Sequence, residues 1–190
     1  MKKLFLILLL LVSTFTFAQK FELGLKGGVN VNNFTSGDFN NAKANSLLGF
    51  HAGLYNRLSL GNAAIQSEIL VSTQGAKLDS IGGSADWKLT YINIPVLLQF
   101  KSSGGFYIEA GPQLGFKINE NIEGQTADNF VKGLDFSVAG GIGLRGKSGF
   151  GFGARYNLGI SKLGKASISN VDPDYKNAVI QASVYIPLTK

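Results

Sequence analysis

Thr90-Tyr91-Ile92-Asn93-Ile94-Pro95-Val96-Leu97-Leu98-Gln99-Phe100 decides the fold of this chain. Read with a period of two, it puts Thr90, Ile92, Ile94, Val96, Leu98 and Phe100 on one face and Tyr91, Asn93, Pro95, Leu97 and Gln99 on the other. Side chains alternate in this way along a β-strand, and a helical period does not sort these residues.

Seven further stretches repeat the pattern. Phe21 to Val31 sets Phe21, Leu23, Leu25, Val29 and Val31 against Glu22, Lys26 and Asn30, and Leu47 to Tyr55 sets Leu48, Phe50, Ala52 and Leu54 against Gly49, His51, Gly53 and Tyr55. Ala63 to Thr73 opposes Ile65, Ile69 and Val71 to Gln66, Glu68 and Ser72. Phe106 to Ile118 opposes Phe106, Ile108, Ala110, Leu114, Phe116 and Ile118 to Tyr107, Glu109, Gln113 and Lys117, with Pro112 expected at a bulge or an unpaired position. The sixth segment separates Leu134, Phe136, Val138, Ile142 and Leu144 from Asp135, Ser137 and Arg145. The seventh separates Phe150, Phe152, Ala154, Tyr156, Leu158 and Ile160 from Arg155 and Asn157, and the eighth Ile180, Ala182, Val184, Ile186 and Leu188 from Gln181, Ser183 and Tyr185.

The connections alternate in length. Those at Asn56 to Asn62, Lys101 to Gly105 and Gly146 to Gly149 are short, whereas Asn32 to Ser46, Gln74 to Ala85, Asn119 to Gly133 and Ser161 to Asn177 are long and rich in Asn, Ser, Gly and Asp. An even number of strands with both termini on the short-turn side predicts an all-β fold, an eight-stranded antiparallel up-and-down transmembrane β-barrel with short periplasmic turns and four long extracellular loops.

Composition and leader agree with that compartment. Lys2 and Lys3, the apolar run Leu4 to Val12, and Thr16-Phe17-Ala18 predict a cleaved signal peptide over residues 1–18, leaving residues 19–190 as one barrel domain. The apolar run is shorter than the roughly 20 residues a spanning helix needs. Charged residues make up 16% of the chain, against roughly 25% for soluble domains, so a water-facing surface is short of charge. With no Cys and one His, thiolate chemistry and His-based metal or triad chemistry have no residues to draw on.

Alternation alone allows the apolar face to meet lipid or to line a pocket. Lipid is favoured because that face carries almost no ionisable group, whereas the polar face holds charges of both signs and the glycines 49, 53, 111, 115, 141, 143, 151, 153 and 159, as a narrow packed lumen requires. Aromatics also gather near the segment ends, Phe21, Phe100, Phe106 and Phe150 toward the short turns and Phe50, Phe116, Phe136 and Tyr156 toward the loops, as interfacial girdles do.

The stretches Leu23-Gly24-Leu25-Lys26-Gly27-Gly28-Val29-Asn30, Ser67-Glu68-Ile69-Leu70 with Gln74-Gly75-Ala76-Lys77, Leu89 to Leu98, and Tyr107-Ile108-Glu109-Ala110-Gly111-Pro112-Gln113-Leu114-Gly115 carry a family likeness. Together they resemble the PorT-like outer-membrane β-barrel family of Bacteroidetes-type bacteria over nearly all of the mature chain. The resemblance implies an architecture and not an activity.

The inward faces supply the candidate site. Glu22, Glu68, Glu109 and Asp135 are expected to pair with Lys26, Lys117, Arg145 and Arg155, because enclosed charges must be matched. This interior network is read as a structural plug. Glu109 is the strongest candidate for an acid, yet it has no nucleophile or metal partner in the sequence.

Other motifs carry less. Gly141-Ile142-Gly143-Leu144-Arg145-Gly146 matches a dinucleotide-binding string, but strand alternation continues where a helix should begin. Asn33-Phe34-Thr35 marks a loop, and Asn170, Asp172 and Asp174 form an acidic surface turn that only weakly suggests calcium. No cofactor and no nucleic-acid partner is expected. The partners expected are outer-membrane lipid and, through the long loops, extracellular or envelope proteins. A structural or interaction role without catalytic turnover is the expected function. The alternatives are transport or binding of a small apolar molecule, at a lateral opening or a pocket near Trp87, Phe130 and Phe34, and a soluble periplasmic lipid-binding barrel.

Overall fold

The computed structural model describes residues 19–35, 42–80, 83–122, 133–161 and 176–189. The predicted leader, residues 1–18, lies outside them, as do Asn170, Asp172 and Asp174. Nine strands are described: β1 (Gln19–Thr35), β2 (Ala42–Asn45), β3 (Leu47–Leu60), β4 (Ala63–Ser80), β5 (Gly83–Lys101), β6 (Phe106–Ile122), β7 (Leu134–Arg145), β8 (Gly151–Gly159) and β9 (Lys176–Pro187).

Eight of them make the barrel. From β3 each strand pairs antiparallel with its successor through to β9, and β1 pairs with both β3 and β9, so the sheet closes on itself without a free edge. The ninth, β2, extends β3 past Ser46 and pairs with the far end of β4, Ala42 opposite Ser80 and Asn45 opposite Lys77. At the seam, Leu188 and Thr189 donate their backbone N–H groups to the Leu23 carbonyl, and the Thr189 hydroxyl accepts from the Leu23 N–H at 3.0 Å.

The predicted long connections are shorter than their sequence suggests, because the strands run on beyond the apolar alternation. Of residues 74–85, expected as a loop, 74–80 continue β4 and 83–85 begin β5, paired so that Gln74 opposes Leu89 and Ser80 opposes Gly83. Asn33-Phe34-Thr35, also expected in a loop, pairs with β9 from Ala178 to Lys176. Outside the hydrocarbon no lipid selects apolar residues, so the pattern fades while backbone pairing continues. On the other side the predicted connection Asn56 to Asn62 shrinks to Gly61-Asn62, since β3 holds its register against β4 as far as Leu60 opposite Ala63. Gly61 takes the turn at φ 61°, a left-handed conformation that glycine adopts at no steric cost.

Two prolines interrupt the ladder around β5. The β4–β5 pairing skips from Ser67↔Val96 to Leu70↔Asn93 around Pro95, and the β5–β6 pairing skips from Pro95↔Gln113 to Leu98↔Ala110 around Pro112. Each lacks the N–H its partner strand would use.

The faces are sorted by chemistry. Ile92 and Ile94 are half-buried, and the remaining outward residues of the barrel include Val96, Leu98, Phe100, Ile108, Leu114, Ile142, Phe152 and Ile180, all exposed. The eight aromatics expected in girdles, from Phe21 to Tyr156, are exposed on this outer face. Inside, the buried residues are mostly polar, charged or tyrosine. A soluble pocket barrel has the reverse arrangement, so the periplasmic lipid-binding alternative fails on the direction of these side chains.

Candidate functional site: the barrel interior

Strand alternation sends Lys26 of β1, Glu68 of β4, Glu109 of β6 and Arg155 of β8 into the lumen from four directions. Lys26 Nζ donates to Glu68 Oε2 at 2.9 Å. Arg155 donates Nη1 to Glu68 Oε2 and Nη2 to Glu68 Oε1, both at 2.8 Å, and gives its Nε to Glu109 Oε1 at 2.7 Å. The fork on Glu68 is bidentate, the geometry that guanidinium and carboxylate planes favour. Two cations and two carboxylates therefore cancel in a space where none is more than 5% exposed.

Amides extend the cluster toward the short turns. Gln66 Nε2 donates to Glu68 Oε1 at 2.6 Å, and Gln99 Nε2 donates to Glu109 Oε2 at 2.7 Å while its Oε1 accepts from Arg57 Nε at 2.9 Å. Arg145 reaches Gln66 Oε1 through Nη2 at 3.3 Å and forms an ion pair with Glu22 through Nη1. Tyr55 donates its hydroxyl to Glu22 at 2.7 Å, and the Arg145 guanidinium carbon lies 4.8 Å from the Tyr185 ring centre and 5.1 Å from that of Tyr55. Tyr55, Tyr107 and Tyr185 form the aromatic centre of the lumen, in edge-to-face contact at 5.6 and 6.5 Å.

Those rings need glycine opposite them. Gly143 faces Tyr107 directly across β6 and β7, and Gly153 follows on β8. A Cβ at Gly143 would lie 2.5 Å from the Tyr107 hydroxyl and one at Gly153 2.6 Å from it. Large and small residues interleave here, which is how a narrow barrel fills its section.

Toward the loops the lumen is polar but less charged. His51 bridges Asn30 Oδ1 through Nδ1 at 2.7 Å and the Ser183 hydroxyl through Nε2 at 2.9 Å, and Asn30 donates to the Ser72 hydroxyl at 3.0 Å. Asp135 accepts from the Ser161 hydroxyl at 2.6 Å and from Asn177 Nδ2 at 3.4 Å, and Lys117 is ion-paired with Glu120 three residues on.

Of the eight charged residues singled out in the sequence, the structure therefore joins six, Glu22, Lys26, Glu68, Glu109, Arg145 and Arg155, in one connected set. Asp135 and Lys117 lie nearer the loops with the partners just named. Sequence reasoning missed Arg57, which it left in a turn. The inward series His51, Gly53, Tyr55 continues in step to Arg57, and that continuation was the available signal. It also missed the bridging role of Gln66 and Gln99. Both oxygens of Glu109 accept hydrogen bonds, from Arg155 Nε and Gln99 Nε2, and the residue is buried. Among the described residues no group of three or more His, Asp or Glu is placed to hold a metal ion. The side chains of Trp87 and Phe34, and all of Phe130, lie outside what is described, as does any pocket between them. Gly141 to Gly146 runs along β7 into a turn, so the dinucleotide-binding string opens no helix.

A closed antiparallel barrel, apolar outside, polar and ion-paired inside, is a transmembrane barrel of the bacterial outer membrane. The chain belongs to the family described as outer membrane protein beta-barrel domain, whose model matches residues 17–164. Among solved structures it is similar to the outer membrane protein OprG from Pseudomonas aeruginosa, with 12% identity, a TM-score of 0.50, and coverage of 87% of this chain and 95% of that one. Two weaker likenesses are to Ail, the attachment invasion locus protein of Yersinia pestis (14% identity, TM-score 0.45, 88% of this chain and 99% of that one), and to the outer membrane protein AlkL (16%, 0.40, 88% and 92%). A search of curated proteins by sequence finds no match.

These findings correct the resemblance to the PorT-like family. The matching model is the general barrel domain, and OprG is one solved barrel similar to this one. The Gly-rich alternating stretches that carried the resemblance report what any narrow barrel must have, small residues facing a crowded lumen and apolar ones facing lipid, and so do not mark one branch.

Proposed function

We propose that the protein is a non-catalytic outer-membrane scaffold, a plugged barrel that holds its loop-side connections at the cell surface for contact with extracellular or envelope proteins. The observation that carries this reading is the lumen-crossing set Lys26–Glu68–Arg155–Glu109, all buried and mutually paired. An eight-stranded barrel is only just wide enough for its side chains to fill it, and charges locked to one another across that width leave little room for solvent. In this reading Glu22, Lys26, Glu68, Glu109, Lys117, Asp135, Arg145 and Arg155 serve structure, and residues 1–18 serve export as a removable leader.

Planar-bilayer recording on the refolded protein tests the plug. The expected outcome is a membrane without discrete conductance steps. Reproducible single-channel openings of the wild type would replace the plug with a pore.

A further inference from the structure

The short-turn mouth of the barrel contains a cavity of about 490 Å³ next to the interior network. Lys20 at the start of β1, Arg57 near the end of β3, Lys101 and Arg145 as the last residues of β5 and β7, and Lys147 in the β7–β8 turn all line it. Glu22 is the only carboxylate among the described lining residues, and it is already held by Arg145 and Tyr55. Five cations against one anion leave the lining four positive charges in excess.

These cations differ from those deeper in the lumen. Lys26 and Arg155 have carboxylates in contact, whereas Arg57 gives only its Nε, to the amide oxygen of Gln99. Lys20, Arg57, Lys101 and Lys147 have no carboxylate at ion-pair distance among the described residues. Cations drawn from four strands and a turn repel one another, and a recess with low-dielectric walls concentrates their field. The interior network balances its charges at the mid-lumen and leaves them unbalanced here. A multiply charged anion supplies the missing balance, and the planar fork of Arg57 suits tetrahedral oxyanions.

We propose that this mouth binds a phosphate-bearing anion, with Arg57 and Lys101 as its main ligands and Lys20 and Lys147 at the rim. Short turns face the periplasm, so the ligand arrives from that side. The same chemistry is presented by the headgroup of an anionic phospholipid and by a free phosphorylated solute. Phe21, which lines the cavity beside Lys20 and is exposed on the outer face, puts the site at the edge of the bilayer where either can reach it.

The test uses the full mature chain in phosphatidylcholine nanodiscs. One arm titrates inorganic pyrophosphate by calorimetry. The other extracts the protein from bilayers containing phosphatidylglycerol and counts retained lipids by native mass spectrometry. Saturable binding that weakens with salt is expected in at least one arm. It should fall about tenfold or more in the double variant Arg57→Gln/Lys101→Gln, as expected for loss of two charge-assisted contacts. Because Arg57 also contacts Gln99, the variant Lys101→Gln/Lys147→Gln, which leaves every described interior contact in place, must weaken binding as well. A response to pyrophosphate assigns a free phosphorylated solute, and a response in the lipid arm alone assigns a headgroup. No saturable binding in either arm, or binding unchanged in either double variant, overturns the proposal.

Discussion

Glu68 and Glu109 look equivalent in the sequence, each a lone carboxylate on a polar face, and the structure separates them. Glu68 takes Lys26 and both terminal nitrogens of Arg155, whereas Glu109 takes only Arg155 Nε and an amide. Removing one partner of a buried pair costs roughly 3–5 kcal/mol, because the other charge is left stranded. Glu68→Ala strands Lys26 and leaves Arg155 only its Nε contact with Glu109, and should lose stability at the top of that range in urea titrations from lipid vesicles. Glu109→Ala leaves Arg155 still paired with Glu68 and should lose clearly less. An equal or reversed order would show that the lumen is wetter than its burial indicates. Packing makes a separate prediction. Gly153→Val drives a branched side chain into the Tyr107 hydroxyl and the Tyr185 ring, and overpacking of this kind costs about 1–3 kcal/mol, measurable in the same titration.

Within a strand, neighbouring residues face opposite solvents. Ile108 points to lipid at 49% exposure, and Glu109 beside it is 5% exposed. A Lys at a lipid-facing mid-strand position costs about 2–4 kcal/mol near the bilayer midplane, so Ile108→Lys should slow or prevent insertion into vesicles, followed by protease protection. A tolerated Ile108→Lys would reverse the assigned faces. The strands were legible in the sequence wherever both solvents acted on them. Thr90 to Phe100 shows its period because lipid selects one face and packing the other, and β6 does so through Ile118 for the same reason. The β4–β5 extension beyond Thr73 was illegible because outside the hydrocarbon no lipid selects an apolar face, so the sequence carries no alternation to read. Identities of interior charges could be read from the period, but their partners could not. Pairing depends on which strands stand across the lumen, and that follows only from closure.

At the scale of the molecule, orientation follows from the turns. Gly133, exposed just before β7, stands at the barrel end opposite Gln19 and Pro187, so a cysteine placed there should react with a membrane-impermeant maleimide on intact cells. A cysteine at Ser103, in the short β5–β6 turn, should react only after the outer membrane is opened. The reverse result would invert the barrel. The seam where Leu188 and Thr189 bond to Leu23 adds a constraint of time. Those residues are 166 positions apart for the Leu23–Thr189 contact, so the first strand made must wait for the last. During that wait β1 has a bare edge that hydrocarbon cannot satisfy, and contacts of such separation form slowly. A ribosome stalled before β9 therefore yields an insertion-incompetent chain rather than a smaller barrel, and the envelope must shelter the unfinished chain until its two ends meet.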